Sequence, residues 1–272
     1  MQDRSPRVVF FVSDSTGITA ETLGNALLSN FPEFGFVRRT LPFVDSVDRA
    51  REVVREIDDA TGGPAAPLVF TTVRTGAVQQ AVQSSRAITI DLLHGHLAEL
   101  EHILDTRASE HPGQYHGIGD AARYHERMRA VEYALEHDDG QSLRSLDEAD
   151  VIIIAPSRCG KTPTTMYLAL QYGLLVANYP LTDDDLPAQG LPRPIAPHAQ
   201  RCFGLITTPQ RLSQVRQERR PGSRYASLEQ CTAELRHAED LYRRLRVPYL
   251  NSSTKSVEEM AAVMLHTMNL RA

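Results

Sequence analysis

Val151-Ile152-Ile153-Ile154-Ala155-Pro156-Ser157-Arg158-Cys159-Gly160-Lys161-Thr162 is the stretch on which the reading of this chain turns. Four consecutive branched apolar residues predict a strand buried on both faces. Small and polar residues follow, and 163–172 carries a helical pattern. Strand, loop and helix around Gly160-Lys161-Thr162 match G-x-x-x-x-G-K-[ST], with Ala155 standing at the leading glycine. In such a loop backbone N–H groups cradle phosphate oxygens, the lysine reaches the terminal phosphates, and the hydroxyl binds Mg2+. The helix N-terminus adds its own attraction for anions. The expectation is a nucleotide-phosphate site formed by Ala155, Pro156, Ser157, Arg158, Cys159, Gly160, Lys161 and Thr162, with Lys161 catalytic and Thr162 a metal ligand. Arg158 is placed to brace a phosphate through two N–H groups. Cys159 reads as filler, although a thiol beside a helix N-terminus gains some thiolate character.

Outward from this loop the chain alternates strand and helix, the signature of an α/β fold. Downstream, strands are expected at 174–178, 203–207 and 247–250, and helices after Pro209, at 227–245 and at 256–270. A stretch from Pro180 to Pro197 is too proline-dense for a helix or an inner strand. Upstream, strands are expected at 8–12, 36–41, 67–73 and 87–91, with helices following Ala20 and over 47–58. Residues 94–139 hold seven of the ten histidines and no clear strand, and 120–137 reads as helix. The organisation expected is an N-terminal α/β domain with a mostly parallel sheet (1–110), a helical connector (111–148) and a C-terminal P-loop kinase-like α/β domain (149–272). No internal repeat is visible.

The 272 residues are 42% apolar with a net charge of −5. That balance suits a packed core and argues against a general nucleic-acid binder, whose footprint is basic. No apolar run approaches the roughly 18 residues of a membrane span, and the N-terminus has no signal-peptide pattern. Three widely spaced cysteines (Cys159, Cys202 and Cys231) suggest reduced thiols in a cytoplasmic protein.

Four further groups are candidates for chemistry. Ser13-Asp14-Ser15-Thr16-Gly17 is another loop between a strand and a helix, able to bind an anion, with Asp14 able to orient a hydroxyl or hold a metal ion. The plainer alternative is helix capping by Ser or Thr. Asp183-Asp184-Asp185 could ligate Mg2+ or act as a general base, or could be a solvated turn. Arg211, Arg216, Arg219, Arg220 and Arg224 make 211–224 strongly basic, either closing over phosphates or forming a solvated face. The histidine spacings match no zinc pattern, and His137-Asp138-Asp139-Gly140 is the most site-like group among them.

Taken together, several motifs make the chain resemble the phosphoenolpyruvate synthase regulatory proteins, relatives of the pyruvate, phosphate dikinase regulatory proteins. They are Ser13-Asp14-Ser15-Thr16-Gly17-Ile18-Thr19-Ala20-Glu21, His137-Asp138-Asp139-Gly140, Ser157-Arg158-Cys159-Gly160-Lys161-Thr162-Pro163-Thr164 and Asn178-Tyr179-Pro180. Phe203-Gly204-Leu205, Ser223-Arg224-Tyr225-Ala226-Ser227-Leu228 and Ser256-Val257-Glu258-Glu259 extend the match over nearly the whole chain. Asn178-Tyr179-Pro180 and the acidic run after it favour the synthase branch. The resemblance implies a cytoplasmic homodimer that transfers the β-phosphate of ADP to a threonine of phosphoenolpyruvate synthase, inactivating it. It further implies reversal by inorganic phosphate with release of pyrophosphate. The residues themselves add the expectation that Thr162 holds Mg2+ and that Asp14 or Asp183 activates the target threonine. Ala155 and Pro156 depart from the family's usual glycine and aliphatic residue. A small-molecule P-loop kinase and a nucleotide-sensing module that docks without catalysis are the alternative readings.

Overall fold

The computed structural model describes residues 6–62, 65–108, 121–182 and 190–270. The chain divides into two compact units, Met1–Gly119 and Asp120–Ala272. The first runs β1 (Arg7–Val12), α1 (Ile18–Leu28), β2 (Phe36–Leu41), α2 (Val47–Asp59), β3 (Leu68–Thr71), α3 (Gly76–Gln83), β4 (Ile88–Asp91) and α4 (His94–Leu104). The second runs α5 (Ala121–Glu136), β5 (Val151–Pro156), α6 (Lys161–Tyr172), β6 (Val176–Leu181), β7 (Cys202–Ile206), α7 (Pro209–Arg219), α8 (Leu228–Leu245), β8 (Tyr249–Asn251) and α9 (Val257–Thr267).

Each unit holds a four-stranded, all-parallel sheet, ordered β2-β1-β3-β4 and β6-β5-β7-β8. The wiring is the same in both. The unit's first strand lies inside, its second strand flanks one side, and the chain crosses back to add the third and fourth on the other. In open α/β sheets of this kind, ligands bind outside the carboxyl ends of the strands where the order reverses. Those points are β1/β3 in the first unit and β5/β7 in the second.

Strand alternation builds the first core. Phe10, Val12 and Val69 face Ala50, Val53 and Ile57 of α2 and Val78 and Val82 of α3. Val9, Phe11 and Phe70 face Ala20 and Leu28 of α1, with Phe11 and Phe70 stacked 5.8 Å apart. In the second unit all six residues of β5 are buried, which explains its unbroken apolar run.

Three features differ from or extend the sequence reading. β6 continues through Pro180 to Leu181, further into the proline-dense stretch than expected. It is the sheet's edge strand, where a missing N–H costs no ladder bond. The helix after the phosphate loop begins at Lys161, two residues earlier than its pattern suggested. Of the stretch read as a connector, residues 111–120 lie outside the described residues. α5 packs on α6 through Ala130, Ala134 and Ala169, all fully buried. No helix among the described residues is long and apolar enough to cross a membrane.

Candidate functional site

The β5–α6 connection lies at the carboxyl end of the second unit's inner strand. β5 pairs with β7 only as far as Ile154↔Gly204, whereas its pairing with β6 continues to Pro156↔Leu181. Pro156 therefore sits where β5 has a single neighbour, a place that tolerates an absent N–H. The parting of β5 from β7 is filled by Tyr242 of α8, whose hydroxyl donates to the Ile154 carbonyl at 2.8 Å. Only glycine at 204 allows this, because a Cβ there would lie 2.6–2.8 Å from the Tyr242 ring.

The loop itself turns through two left-handed residues, Arg158 (φ 74) and Gly160 (φ 96). Glycine adopts this geometry freely, whereas arginine pays about 1 kcal/mol or more for it. Gly160 is the N-cap of α6 and offers no side-chain cap. No backbone N–H from Ser157 to Thr162 donates to a backbone carbonyl among the described residues. Unpaired N–H groups at a helix N-terminus make an anion cradle.

Around the cradle stand a cation and two carboxylates. Lys161, 4% exposed, places Nζ 3.2 Å from Asp139 Oδ1. The Thr162 hydroxyl donates to Asp138 Oδ1 at 2.7 Å, and Asn178 Nδ2 donates to the same oxygen at 2.8 Å. Asn178 Oδ1 accepts from the Asp139 N–H at 2.9 Å, so one side chain of β6 fixes both aspartates. They occupy a 3-10 turn, Asp138–Gly140, with Asp139 itself left-handed at φ 48. The turn is anchored by His137, which is 2% exposed. Its ring nitrogens lie 2.7 Å from the carbonyls of Tyr133 and Arg144, and its ring stacks 3.9 Å from that of Tyr133.

The loop is also held from behind. Arg216 of α7 is 0% exposed and donates to the Ser157 carbonyl from both Nη2 (3.0 Å) and Nε (3.3 Å). Glu234 of α8 grips the guanidinium through two oxygens at 3.0 and 2.6 Å. Arg216 also donates to the Tyr225 carbonyl at 3.0 Å and lies 4.1 Å over the Tyr225 ring. The Tyr225 hydroxyl in turn donates to Ser157 Oγ at 3.0 Å. Arg216 is thus committed to the Ser157 and Tyr225 carbonyls and to Glu234. Arg219, Arg220 and Arg224 are exposed, and Arg211 lines a cleft beside the loop.

Cys159 is 2% exposed. Burial pushes its thiol up to about 12, against a smaller opposing pull from Lys161 and Arg216. It is a neutral packing group whose contribution to the loop is its backbone. Asp14 belongs to the first unit, at the carboxyl end of β1, and is 8% exposed. Its Oδ2 accepts from Arg74 N at 3.0 Å and Nε at 3.3 Å, which ties the β1 and β3 loops together. The capping alternative for Ser13–Gly17 is not what forms, since the N-cap of α1 is the left-handed Gly17 and carries no side-chain cap. Asp183, with Asp184 and Asp185, lies outside the described residues.

The family model described as Kinase/pyrophosphorylase matches residues 9–265. A protein of Marinobacter nauticus named "Putative phosphoenolpyruvate synthase regulatory protein" is 44% identical over 266 residues, 97% of this chain and 98% of its own length. A Laribacter hongkongensis protein of the same name is 46% identical over 262 residues, 96% of each chain. A third, from Legionella pneumophila, is 44% identical over 97% of this chain and 98% of its own. The chain belongs to the kinase/pyrophosphorylase family.

The Asp138–Thr162 contact has the donor chemistry that Mg2+ takes. The ion prefers one or two carboxylate or hydroxyl oxygens, completing its shell with phosphate and water. Thr162 Oγ1 and Asp138 Oδ1, 2.7 Å apart beside the cradle, fit that demand. Asp138 and Asp139 were legible only as part of a site-like motif, and nothing in the local sequence pointed to Thr162 as their partner 24 residues on. Arg216 was legible as basic, but its burial was not, because that depends on Glu234 in the next helix.

Proposed function

We propose that this chain is a bifunctional regulator of phosphoenolpyruvate synthase. In one direction it transfers the β-phosphoryl group of ADP to a threonine hydroxyl of the synthase, giving AMP and an inactive phosphothreonine enzyme. In the other, inorganic phosphate attacks the phosphothreonine phosphorus, the threonine oxygen leaves, and pyrophosphate is released. The observation that carries this reading is the loop of unpaired N–H groups bearing Lys161, set beside Thr162 and Asp138. Its support from comparison is the family match and the names of the relatives.

Both directions move one phosphoryl group between a threonine oxygen and a phosphate oxygen, so one cradle serves both. The N–H groups from Ser157 to Thr162 bind the phosphate oxygens. Lys161 leaves Asp139 and neutralises the terminal phosphate, where charge builds in the transition state. Thr162 and Asp138 would hold Mg2+, which when bound offsets phosphate charge. Removal of the threonine proton is assigned to Asp14 or Asp183. Alanine at the one that acts should abolish turnover while sparing ADP binding, and unchanged turnover in both variants would sink that assignment.

The reverse reaction supplies the test of the whole reading. Phosphothreonine-bearing synthase, incubated with this protein and inorganic phosphate, should regain activity and release one pyrophosphate per threonine freed. Release of inorganic phosphate without pyrophosphate would make the protein an ordinary phosphatase and refute the proposal.

A further inference from the structure

Asn178 lies on the edge strand β6, is 1% exposed, and has every polar atom of its side chain committed. Nδ2 donates to Asp138 Oδ1 at 2.8 Å and to Thr165 Oγ1 of α6 at 3.4 Å. Oδ1 accepts from the Asp139 N–H at 2.9 Å. The backbone adds one bond, from Asn178 N to the His137 carbonyl at 3.2 Å. These partners decide which way the amide points. Turned over, it would set its oxygen against Asp138 Oδ1 and its NH2 against the Asp139 N–H. A carboxylate at this position could only accept.

The consequence falls on the Asp138 carboxylate. Its Oδ1 takes two donors, Asn178 Nδ2 and the Thr162 hydroxyl at 2.7 Å, which fill the two lone-pair positions of that oxygen. Oδ2 has no hydrogen-bond partner among the described residues. Asp138 therefore meets a cation through one oxygen and does not chelate it through both. Thr162 gives its proton to Oδ1 and keeps its own oxygen lone pairs for a ligand. That pattern separates two divalent ions. Mg2+ demands a near-octahedral shell and binds through one or two protein oxygens with phosphate and water. Ca2+ takes six to eight oxygens and often both of one carboxylate.

We propose that Asn178 is a positioning residue that makes Asp138 a one-oxygen ligand, so that the site takes Mg2+ in preference to Ca2+. The proposal rests on the reading of Thr162 and Asp138 as the metal ligands, and adds the residue that decides which ion they accept. Asn178 acts through Asp138, from a buried position on β6. A residue that only anchored the Asp138–Gly140 turn to the sheet would support both ions alike.

The test is calorimetric titration of Mg2+ and, separately, of Ca2+ into the full chain loaded with ADP, with the metal binding of ADP alone subtracted. Wild type is compared with Asn178→Ala, Asn178→Asp and Asp138→Asn, and urea unfolding checks that each variant is folded. Asn178→Ala removes the donor and frees Oδ1 for a cation. Asn178→Asp removes the same donor but keeps an acceptor for the Asp139 N–H, so the turn retains that bond. In both variants the ratio of Mg2+ to Ca2+ affinity should fall by about tenfold or more, the scale on which the partners of a metal ligand act. A ratio within about twofold of wild type, even with both ions bound more weakly, would leave Asn178 an anchor of the turn and overturn the proposal. A rise in the ratio would overturn it too. Asp138→Asn should weaken both ions. If it weakens neither, the reading of Asp138 and Thr162 as metal ligands fails instead, and the selectivity claim falls with it.

Discussion

Replacing Glu234 with alanine removes one half of a buried ion pair whose other half is wholly enclosed. Arg216 is 0% exposed and the Glu234 side chain 10%. Two charge-assisted bonds are lost, at 3.0 and 2.6 Å. Breaking a buried pair from one side costs about 3–5 kcal/mol, because a charge is left without its partner. Arg216 keeps the carbonyls of Ser157 and Tyr225, both at 3.0 Å, so the lower end applies. The expected loss is about 3 kcal/mol, a large part of the 5–15 kcal/mol typical of a folded domain. For a unit of this size it should lower the melting temperature by roughly 6–12 °C. Scanning calorimetry and urea unfolding of the full chain measure it. The double variant Arg216→Met/Glu234→Met removes both charges and should recover part of the stability. It should not recover ADP affinity, since the Ser157 carbonyl is then unbraced. A loss below about 1 kcal/mol for Glu234→Ala, the size of an exposed pair, would refute the reasoning. So would full ADP affinity in the double variant.

Gly204→Ala drives a methyl group to within 2.6 Å of Tyr242 and should cost about 1–3 kcal/mol, read by urea midpoint, with Tyr242→Phe giving a smaller loss. Asp138→Asn should raise the Mg2+ concentration needed for half-maximal turnover by about 10–100-fold while leaving metal-free ADP binding near wild type. The thiols of Cys159 and Cys202, each raised by burial from 9.0 to about 12, should bear on alkaline stability. The unfolded thiols ionise first, so stability is full below about pH 9 and falls as pH rises towards 12. Cys202→Ala should flatten that slope, and wild-type thiols should react with a chromogenic disulfide only after denaturation.

The inner strands β1, β3, β5 and β7 were legible as apolar runs, because parallel strands buried on both faces need little else to declare themselves. The phosphate loop was legible because its glycine, lysine and threonine are adjacent in the chain. Helix α3 was not. It opens on Gly76, spans eight residues and buries only Val78 and Val82. The length of β6 escaped notice because a proline argues against an inner strand but says nothing of an edge. The common wiring of the two units leaves no sequence repeat. What they share is strand order and a left-handed glycine capping the helix after the inner first strand, Gly17 at φ 84 and Gly160 at φ 96. Contacts across the sequence were the least legible part. Arg216 with Glu234, Asp138 with Thr162, and Tyr242 with Gly204 are set by packing between elements, which no local pattern encodes.

The most direct measurement is to map phosphorylation on phosphoenolpyruvate synthase by mass spectrometry after incubation with this protein, ADP and Mg2+, with the synthase's catalytic histidine charged by its own substrates. Phosphothreonine on the synthase, formed with one AMP per phosphate and absent with Lys161→Ala, is the predicted result. An unmodified synthase, or phosphothreonine undiminished in the Lys161→Ala variant, would contradict the account.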